Sequence, residues 1–179
     1  MAWLALACCA APSIASAADL LRGHLAVGYA KLLNRGAPGG SMMVGAGVDL
    51  PVRGTLRAGA DVGFALLGSR IVERGSLAAD LDYSLFEAVA FAHWKPPDGP
   101  LRVSLGPGLF HVRADLSSSG PAAFSDLAVE ETAPGAALGV TLMTRRESLL
   151  RAGFELGVRA VWLPDGTWTV ALGRLTVHY

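Results

Sequence analysis

Taken at every second residue, the stretch 148–162 (S-L-L-R-A-G-F-E-L-G-V-R-A-V-W) separates into two sets. Leu150, Ala152, Phe154, Leu156, Val158, Ala160 and Trp162 form an unbroken apolar phase. Arg151, Gly153, Glu155, Gly157, Arg159 and Val161 form the other, mostly glycine and opposite charges. Period two held over about thirteen residues is a strand with two different environments. A strand of a soluble sheet is usually nearer five or six residues; one that crosses a bilayer needs about nine to eleven, tilted. The pattern predicts a strand of a transmembrane β-barrel, with lipid on the apolar side and a packed polar lumen on the other.

The same scheme recurs along the chain. Residues 24–33 place Leu25, Val27 and Tyr29 against Ala26, Gly28 and Ala30, and 34–40 (N-R-G-A-P-G-G) read as a loop. In 42–52, Met42, Val44, Ala46, Val48, Leu50 and Val52 face out, and Met43, Gly45, Gly47 and Asp49 face in. After a turn at 51–54, Leu56, Ala58, Ala60, Val62 and Phe64 alternate with Arg57, Gly59, Asp61 and Gly63. Residues 67–75 read as a longer polar loop. In 76–94, Leu77, Ala79, Leu81, Tyr83 and Leu85 share an outward phase, with Asp80, Asp82 and Ser84 inward. Holding that phase would send Glu87 into lipid at a cost of several kcal/mol. A β-bulge near Leu85-Phe86 is therefore expected, turning Glu87 inward and Ala88, Ala90, Ala92 and Trp94 outward. Strands at 101–116 (Arg102, Ser104, Gly106 and Gly108 inward), 128–143, the opening stretch and 168–179 complete eight, separated by turns or loops near 97, 120, 145 and 165. The fold class is all-β: an eight-stranded antiparallel up-and-down transmembrane β-barrel. Trp94, Trp162, Trp168 and Tyr179 fall near strand ends, where amphipathic rings anchor at the two interfaces.

Composition sharpens this picture. Charged residues are 17% of the chain and lysines number two, Lys31 and Lys95, so much of the exterior does not face water. Fifteen basic and fifteen acidic residues cancel, and basic residues are scattered without interleaved aromatics, which argues against nucleic acid. Beyond the N-terminus no apolar run is long enough for a spanning helix. Residues 1–17 read as a signal peptide: an apolar segment, Pro12, then Ala15-Ser16-Ala17 for cleavage, with 18–179 as the barrel. Cleavage there removes both cysteines, leaving neither a disulfide framework nor a Cys metal site. No motif calls for a cofactor or metal; the glycine runs 36–40 and 45–47 lack the strand–loop–helix context that cradles phosphate.

The inward charges are Asp49, Arg57, Asp61, Glu87, Arg102, Glu155, Arg159 and Arg174. Four acids and four bases in a narrow lumen must pair, because one left alone costs several kcal/mol. An eight-stranded barrel is barely wide enough for its own side chains, so a lumen filled by a charged network is favoured over a polar path for solutes.

At the C-terminus, Leu175, Val177 and Tyr179 give alternate apolar residues ending on an aromatic. With the eight strands and the N-terminal segment, the chain resembles the small outer-membrane β-barrel family, the OmpA/OmpX/OmpW-like group. The resemblance implies a Gram-negative-type outer membrane, contact with outer-membrane lipid and lipopolysaccharide, and insertion by the barrel assembly machinery. A structural, adhesive or loop-mediated binding role comes first, a narrow channel for small or hydrophobic solutes second, and a lipid-modifying enzyme third. Lipid A deacylases carry a His with Ser two residues later; none of His24, His93, His111 and His178 has that neighbour. The nearest constellation is His111 opposite Glu130 across the hairpin centred near 120, with Ser117, Ser118 or Ser119 as nucleophile. The alternation also suits a soluble lipocalin-type barrel with the phases exchanged. Strand length, glycine in the polar phase, lysine scarcity and the aromatic terminus favour the membrane version.

Overall fold

Eight antiparallel strands follow one another around a closed ring, β1 to β8, with β8 returning to pair with β1. They are β1 (Arg22–Leu32), β2 (Ser41–Arg53), β3 (Leu56–Arg74), β4 (Leu77–Trp94), β5 (Leu101–Ser118), β6 (Leu127–Met143), β7 (Arg151–Leu163) and β8 (Gly166–His178). This computed structural model describes residues 21–74, 77–96, 99–118, 127–144 and 150–179. The expected signal peptide, 1–17, and most of the 120 loop lie outside the described residues.

Closure follows from the period-two pattern, because each strand can bury one face only against the barrel axis. Outward stand Leu25, Val27, Tyr29, Val44, Val48, Val62, Phe64, Phe86, Leu105, Leu109, Leu138, Val140, Phe154, Leu156, Val158, Leu175 and Val177, all exposed. Such a continuous apolar exterior is far larger than a soluble monomer presents, and it wraps the ring as a belt suited to hydrocarbon. The soluble, exchanged-phase arrangement is thereby set aside. The seam is locked at its end: Tyr179 N donates to Gly23 O at 3.0 Å and Gly23 N to Tyr179 O at 3.2 Å. The Tyr179 ring lies across Gly23, where a Cβ would stand 2.5 Å from a ring carbon.

One rim carries both ends of the described chain and the connections after β2, β4 and β6; we term it the terminal rim. The other carries the connections after β1, β3, β5 and β7; we term it the loop rim. The strands differ in length across the ring. β1, β2, β7 and β8 have 11 to 13 residues, and β3 to β6 have 17 to 19. The four long strands therefore rise past the belt on the loop side as a four-stranded paddle, by roughly 20 Å along the strand.

This paddle corrects three expectations. Residues 67–74 are strand, paired with β4 as far as Arg74↔Leu77, and only 75–76 lie outside the described residues. The bulge sits in β3, between Leu66 and Gly68, and the β4–β5 register runs without a shift through Leu85 and Phe86. Gly68 adopts φ 95°, open to glycine, and the carbonyl of Gly39 approaches where its side chain would be. Leu85 is consequently buried and Phe86 exposed, so Glu87 continues an inward phase already held by Tyr83 and Leu85. Asp82 and, by alternation, Asp80 face outward, reversing the sequence-based expectation; Asp82 is exposed. The reason is height: at paddle level the outer face meets water or headgroups, so an outward carboxylate costs little.

Candidate functional site

The lumen is filled in two layers. Toward the loop rim it is apolar: Leu32, Met43, Leu67, Leu85, Val89, Phe91, Phe110, Val112, Val161, Val170 and Leu172 pack with small alanines into one core, with Tyr83 and Trp168 against it. A lumen filled throughout by charge was expected; the charged network occupies the terminal half and the middle. Trp168 also departs from its expected place, since it shares the inward phase of Val170 and sits edge-on to Tyr83 at 5.7 Å between centroids. Trp94, Trp162 and Tyr179 stand outward and exposed, the first and last at the terminal rim and Trp162 at the loop rim.

Below this plug the charges pair across the barrel. Arg159, wholly buried, donates through Nε to Glu87 Oε2 at 2.7 Å and through Nη2 to Oε1 at 3.3 Å. Its guanidinium carbon lies 5.6 Å from the centre of the Phe91 ring. Arg174 bridges Asp61 at 2.9 Å and Glu155 at 3.0 Å. Arg102 is 3.9 Å from Glu155, with the Thr141 hydroxyl between them, 3.5 Å from Arg102 Nη2 and 3.3 Å from Glu155 Oε2. Arg57 bonds the Asp49 carboxylate, nearest the terminal rim. All eight sequence-derived charges thus face the lumen. Glycine makes the space: a Cβ on Gly139 would stand 2.9 Å from Glu155 Oε1, and one on Gly63 3.1 Å from Glu87.

Sequence reasoning missed three further lumen residues, His24, His93 and His178. His24 Nε2 is 3.4 Å from Asp61 Oδ1, and its ring is 5.0 Å from that of His178. His93 Nδ1 shares a 2.7 Å hydrogen bond with Ser104. Each lies in the phase opposite the outward residues of its strand (His24 with Ala26 and Gly28, His93 with Glu87, His178 with Arg174), so phase alone would have found them. Among the described residues, the buried side-chain atoms making no protein hydrogen bond are His24 Nδ1 and Nε2, Asp61 Oδ1, His93 Nε2, Arg102 Nε and Arg174 Nε, all in this layer. No group of three or more ligating side chains among the described residues is arranged to hold a metal ion. The cavity beneath the plug measures about 10 Å³, lined by Met43, Leu85, Glu87, Arg159 and Leu172 among others; that is room for about one water. Plug and ion pairs together pack the described lumen with buried side chains.

Outside, His111 pairs with Thr132, not with Glu130, two residues off the expected register. His111 Nδ1 is 3.0 Å from the Thr132 hydroxyl, while Nε2 still reaches Glu130 at 3.8 Å. Glu130 accepts from Arg113 at 2.8 Å, and Arg113 also bonds Asp115 at 2.7 Å. Ser117 lies six residues along β5 from His111, roughly 20 Å away, and Ser118 lies beyond it. No acyl-transfer triad is assembled from these; Ser119 lies outside the described residues.

The paddle has two unlike faces. Cross-strand pairing puts Val72 with Ala79, Leu81 with Leu116, Ala114 with Val129 and Leu116 with Leu127 on the inner face, above the barrel mouth, together with Arg70 opposite Leu81 and Glu131 opposite Val112. Val72, Leu127 and Val129 are exposed there, Val129 at 68%. The outer face carries Ser69 with Asp82, Ile71 with Asp80, Asp82 with Asp115 and Arg113 with Glu130, and Glu73 shares it. Among these described side chains five are carboxylates and one is a guanidinium. The β6–β7 pairing begins at Gly135↔Val161, so residues 127–133 of β6 form a sheet edge with no partner among the described residues.

No known family model matches the chain, and no characterised protein matches it by sequence. The fold has clear counterparts among solved structures. Neisserial surface protein A superposes with a TM-score of 0.62 at 14% identity, over 88% of this chain and 95% of that one. Ail, the attachment invasion locus protein of Yersinia pestis, solved with the heparin analogue sucrose octasulfate, gives 0.58 at 12%, over 89% and 99%. A major outer membrane protein from Thermus thermophilus gives 0.55 at 15%, over 89% and 98%. The chain therefore has the fold of the small eight-stranded transmembrane barrels of outer membranes.

Proposed function

We propose that the chain is an integral outer-membrane barrel that does not conduct, and that it serves as a rigid mount for a binding surface on its loop rim. The observation that carries this reading is the combination of a plugged lumen with four strands continuing as a paddle beyond the apolar belt. The barrel spends its interior on stability, and the surface with unsatisfied backbone and apolar groups lies outside the membrane. In this reading residues 1–17 are removed on export, the terminal rim faces the periplasm, and the loop rim faces out. The belt contacts membrane lipid, and the eight inward charges hold the lumen shut. The alternate apolar residues ending in Tyr179 present the barrel to the assembly machinery.

The chemistry of the rim separates this chain from a polysulfate binder such as the Ail complex. Carboxylates dominate the outer face of the paddle, and they repel sulfate. An enzyme role finds no support in the His111 cluster, whose groups are already bonded to Thr132 and Arg113.

Two experiments test the reading. The refolded chain in planar bilayers is expected to give no unitary conductance steps; regular steps would restore the channel. A variant with the hairpins shortened to the Gly68–Tyr83 pair of β3–β4 and the Arg113–Glu130 pair of β5–β6, which keeps Leu67, Phe110 and Val112 in the plug, should still fold, judged by a heat-dependent shift in gel migration. Cells carrying it should lose the surface attachment that the full barrel confers. Attachment that is unchanged by the shortening would overturn the role given to the paddle.

A further inference from the structure

At the terminal rim, cations from five places in the fold ring the mouth of the barrel. Arg22 opens β1 opposite Asp49, two residues before the inward His24. Arg57 follows the β2–β3 turn and pairs with His93. Arg151 opens β7 opposite His178. Lys95 follows β4, and its backbone N–H donates to Thr55 O at 3.0 Å. The β4–β5 register, His93↔Ser104 and Trp94↔Val103, carried one pair further sets Lys95 opposite Arg102. By alternation all five belong to the inward phase, and an eight-stranded barrel is narrow enough for their charged ends to converge. The Lys95 ammonium feels this convergence: besides burial, the guanidinium groups of Arg151, Arg22, Arg102 and Arg57 hold it below the ordinary lysine range.

Like charges gathered in one mouth repel and call for counter-charge. Among the described residues Asp49 is the carboxylate side chain at this level, and it is bonded to Arg57. Glu155 lies deeper, 3.0 Å from Arg174 and 3.9 Å from Arg102. Lys95 and Arg151 make no ion pair with a described carboxylate. Beneath them the Arg102 side chain is 4% exposed, yet its Nε makes no protein hydrogen bond, and neither does His93 Nε2. In sequence, the neighbouring segments outside the described residues add Arg145 and Arg146 against Asp19, Asp98 and Glu147, which leaves the basic surplus standing.

We propose that the terminal mouth binds a compact, multiply charged phosphate group, held between Lys95 and Arg151 and above Arg102. The site lies at the opposite end of the barrel from the paddle and does not depend on the paddle's role. Its donors come from different strands around a circle, so they suit a tetrahedral anion with oxygens in several directions better than a flat carboxylate met from one side. Guanidinium forks match phosphate oxygens in pairs. The narrow mouth admits a small anion and excludes a nucleic-acid strand. Free phosphate or pyrophosphate and the phosphate of a lipid headgroup leaning in from the surrounding leaflet share this chemistry.

The test uses the full mature barrel in nanodiscs of zwitterionic lipid, with inorganic pyrophosphate as the probe. Binding is read by titration calorimetry, and the site by the side-chain NMR signal of methylated Lys95. Pyrophosphate is expected to bind saturably, to move that signal, and to weaken as salt is raised. Arg151→Gln and Lys95→Gln, read by calorimetry, should each lower affinity about fivefold, the size of one exposed charge contact, and the double variant should lower it further. Lys31→Gln, at an exposed site on β1 away from this mouth, should leave it unchanged. A heat-dependent gel shift checks that each variant folds. A second arm adds phosphatidic acid to the discs. If the headgroup is the source, the Lys95 signal moves before any pyrophosphate is added; if a free anion is the source, it moves only with pyrophosphate. No movement with either phosphate, or binding that the double variant leaves unchanged, would overturn the inference. So would a parent that fails to bind while Asp19→Asn, Asp98→Asn, Glu147→Gln binds, since the chain's own carboxylates would then fill the mouth.

Discussion

The ion pair beneath the plug tests how the lumen is held together. Arg159 and Glu87 have side chains 0% and 4% exposed and meet through two hydrogen bonds, at 2.7 and 3.3 Å. In Glu87→Leu the guanidinium would keep only long contacts to the carbonyls of Leu138, at 3.4 Å, and Val158, at 3.5 Å, besides the Phe91 ring. A buried charge stripped of its partner costs about 3–5 kcal/mol. Arg159→Met strands Glu87 in the same way and is expected in the same range. The double variant Glu87→Leu, Arg159→Met removes both desolvation costs and places apolar groups against Phe91 and Leu85. It should lie within about 1 kcal/mol of the parent, or above it. The singles and the double thus differ in sign of coupling as well as size. Urea unfolding in lipid vesicles, followed by tryptophan fluorescence, measures all four corners of the cycle. Single variants that each cost under about 1 kcal/mol, or a double that costs the sum of the singles, would refute a dry, tightly paired middle layer.

Three further outcomes follow from the same geometry. Phe110 is wholly buried in the plug, with Gly108 and Gly135 giving its ring room, so Phe110→Ala should lose about 3–5 kcal/mol in the same unfolding assay; a loss below about 1 kcal/mol would mean a loosely packed plug. Gly23→Val should push the Tyr179 ring off the seam and lower the temperature at which the gel shift occurs, whereas an unchanged temperature would deprive the terminal aromatic of its locking role. In the turn after β4, Lys95 is held below the ordinary lysine range, first by burial and then by the guanidinium groups of Arg151, Arg22, Arg102 and Arg57. NMR titration of methylated Lys95 should find a midpoint below the ordinary value of about 10.4, and a midpoint at or above it would contradict a basic terminal rim.

Much of the barrel was legible because lipid imposes one rule over the thickness it covers. Within the belt an outward charge is costly, so Asp49, Arg57, Asp61, Glu155, Arg159 and Arg174 could be assigned inward from alternation alone. Above the belt that rule lapses. Applying it there turned Asp80 and Asp82 inward, displaced the bulge from Leu67 to Leu85-Phe86, and made a loop of residues 67–75. The apolar plug was hidden for a related reason. Leu85, Val112 and Val170 are inward, yet a hydrophobic residue carries no sign of which side it faces when both sides are apolar. Trp168 was misplaced by the same ambiguity, since an aromatic near a strand end suits a headgroup zone and a plugged mouth equally well. Hairpin register was uncertain by two residues because the centre of the β5–β6 connection sets it, and this left His111 facing Thr132.

The distribution of strand lengths argues for function in its own right. Thirteen residues suffice for β2, β7 and β8 to cross the belt, so the extra length of β3 to β6 adds nothing to insertion. Four strands extended alone must break the ring's hydrogen-bond closure on two sides. That exposes backbone on β6, and it sets Val129 and Leu127 in water at 68% and 58% exposure. A chain under selection only for a stable membrane barrel would gain by ending these strands near Gly68 and Glu131, just past the plug residues Leu67, Phe110 and Val112. Acidic residues along the same edge keep copies of the chain from pairing with one another. The result is a protruding sheet with an acidic outer face, an edge on β6 without a partner among the described residues, and Leu127 and Val129 exposed beside it.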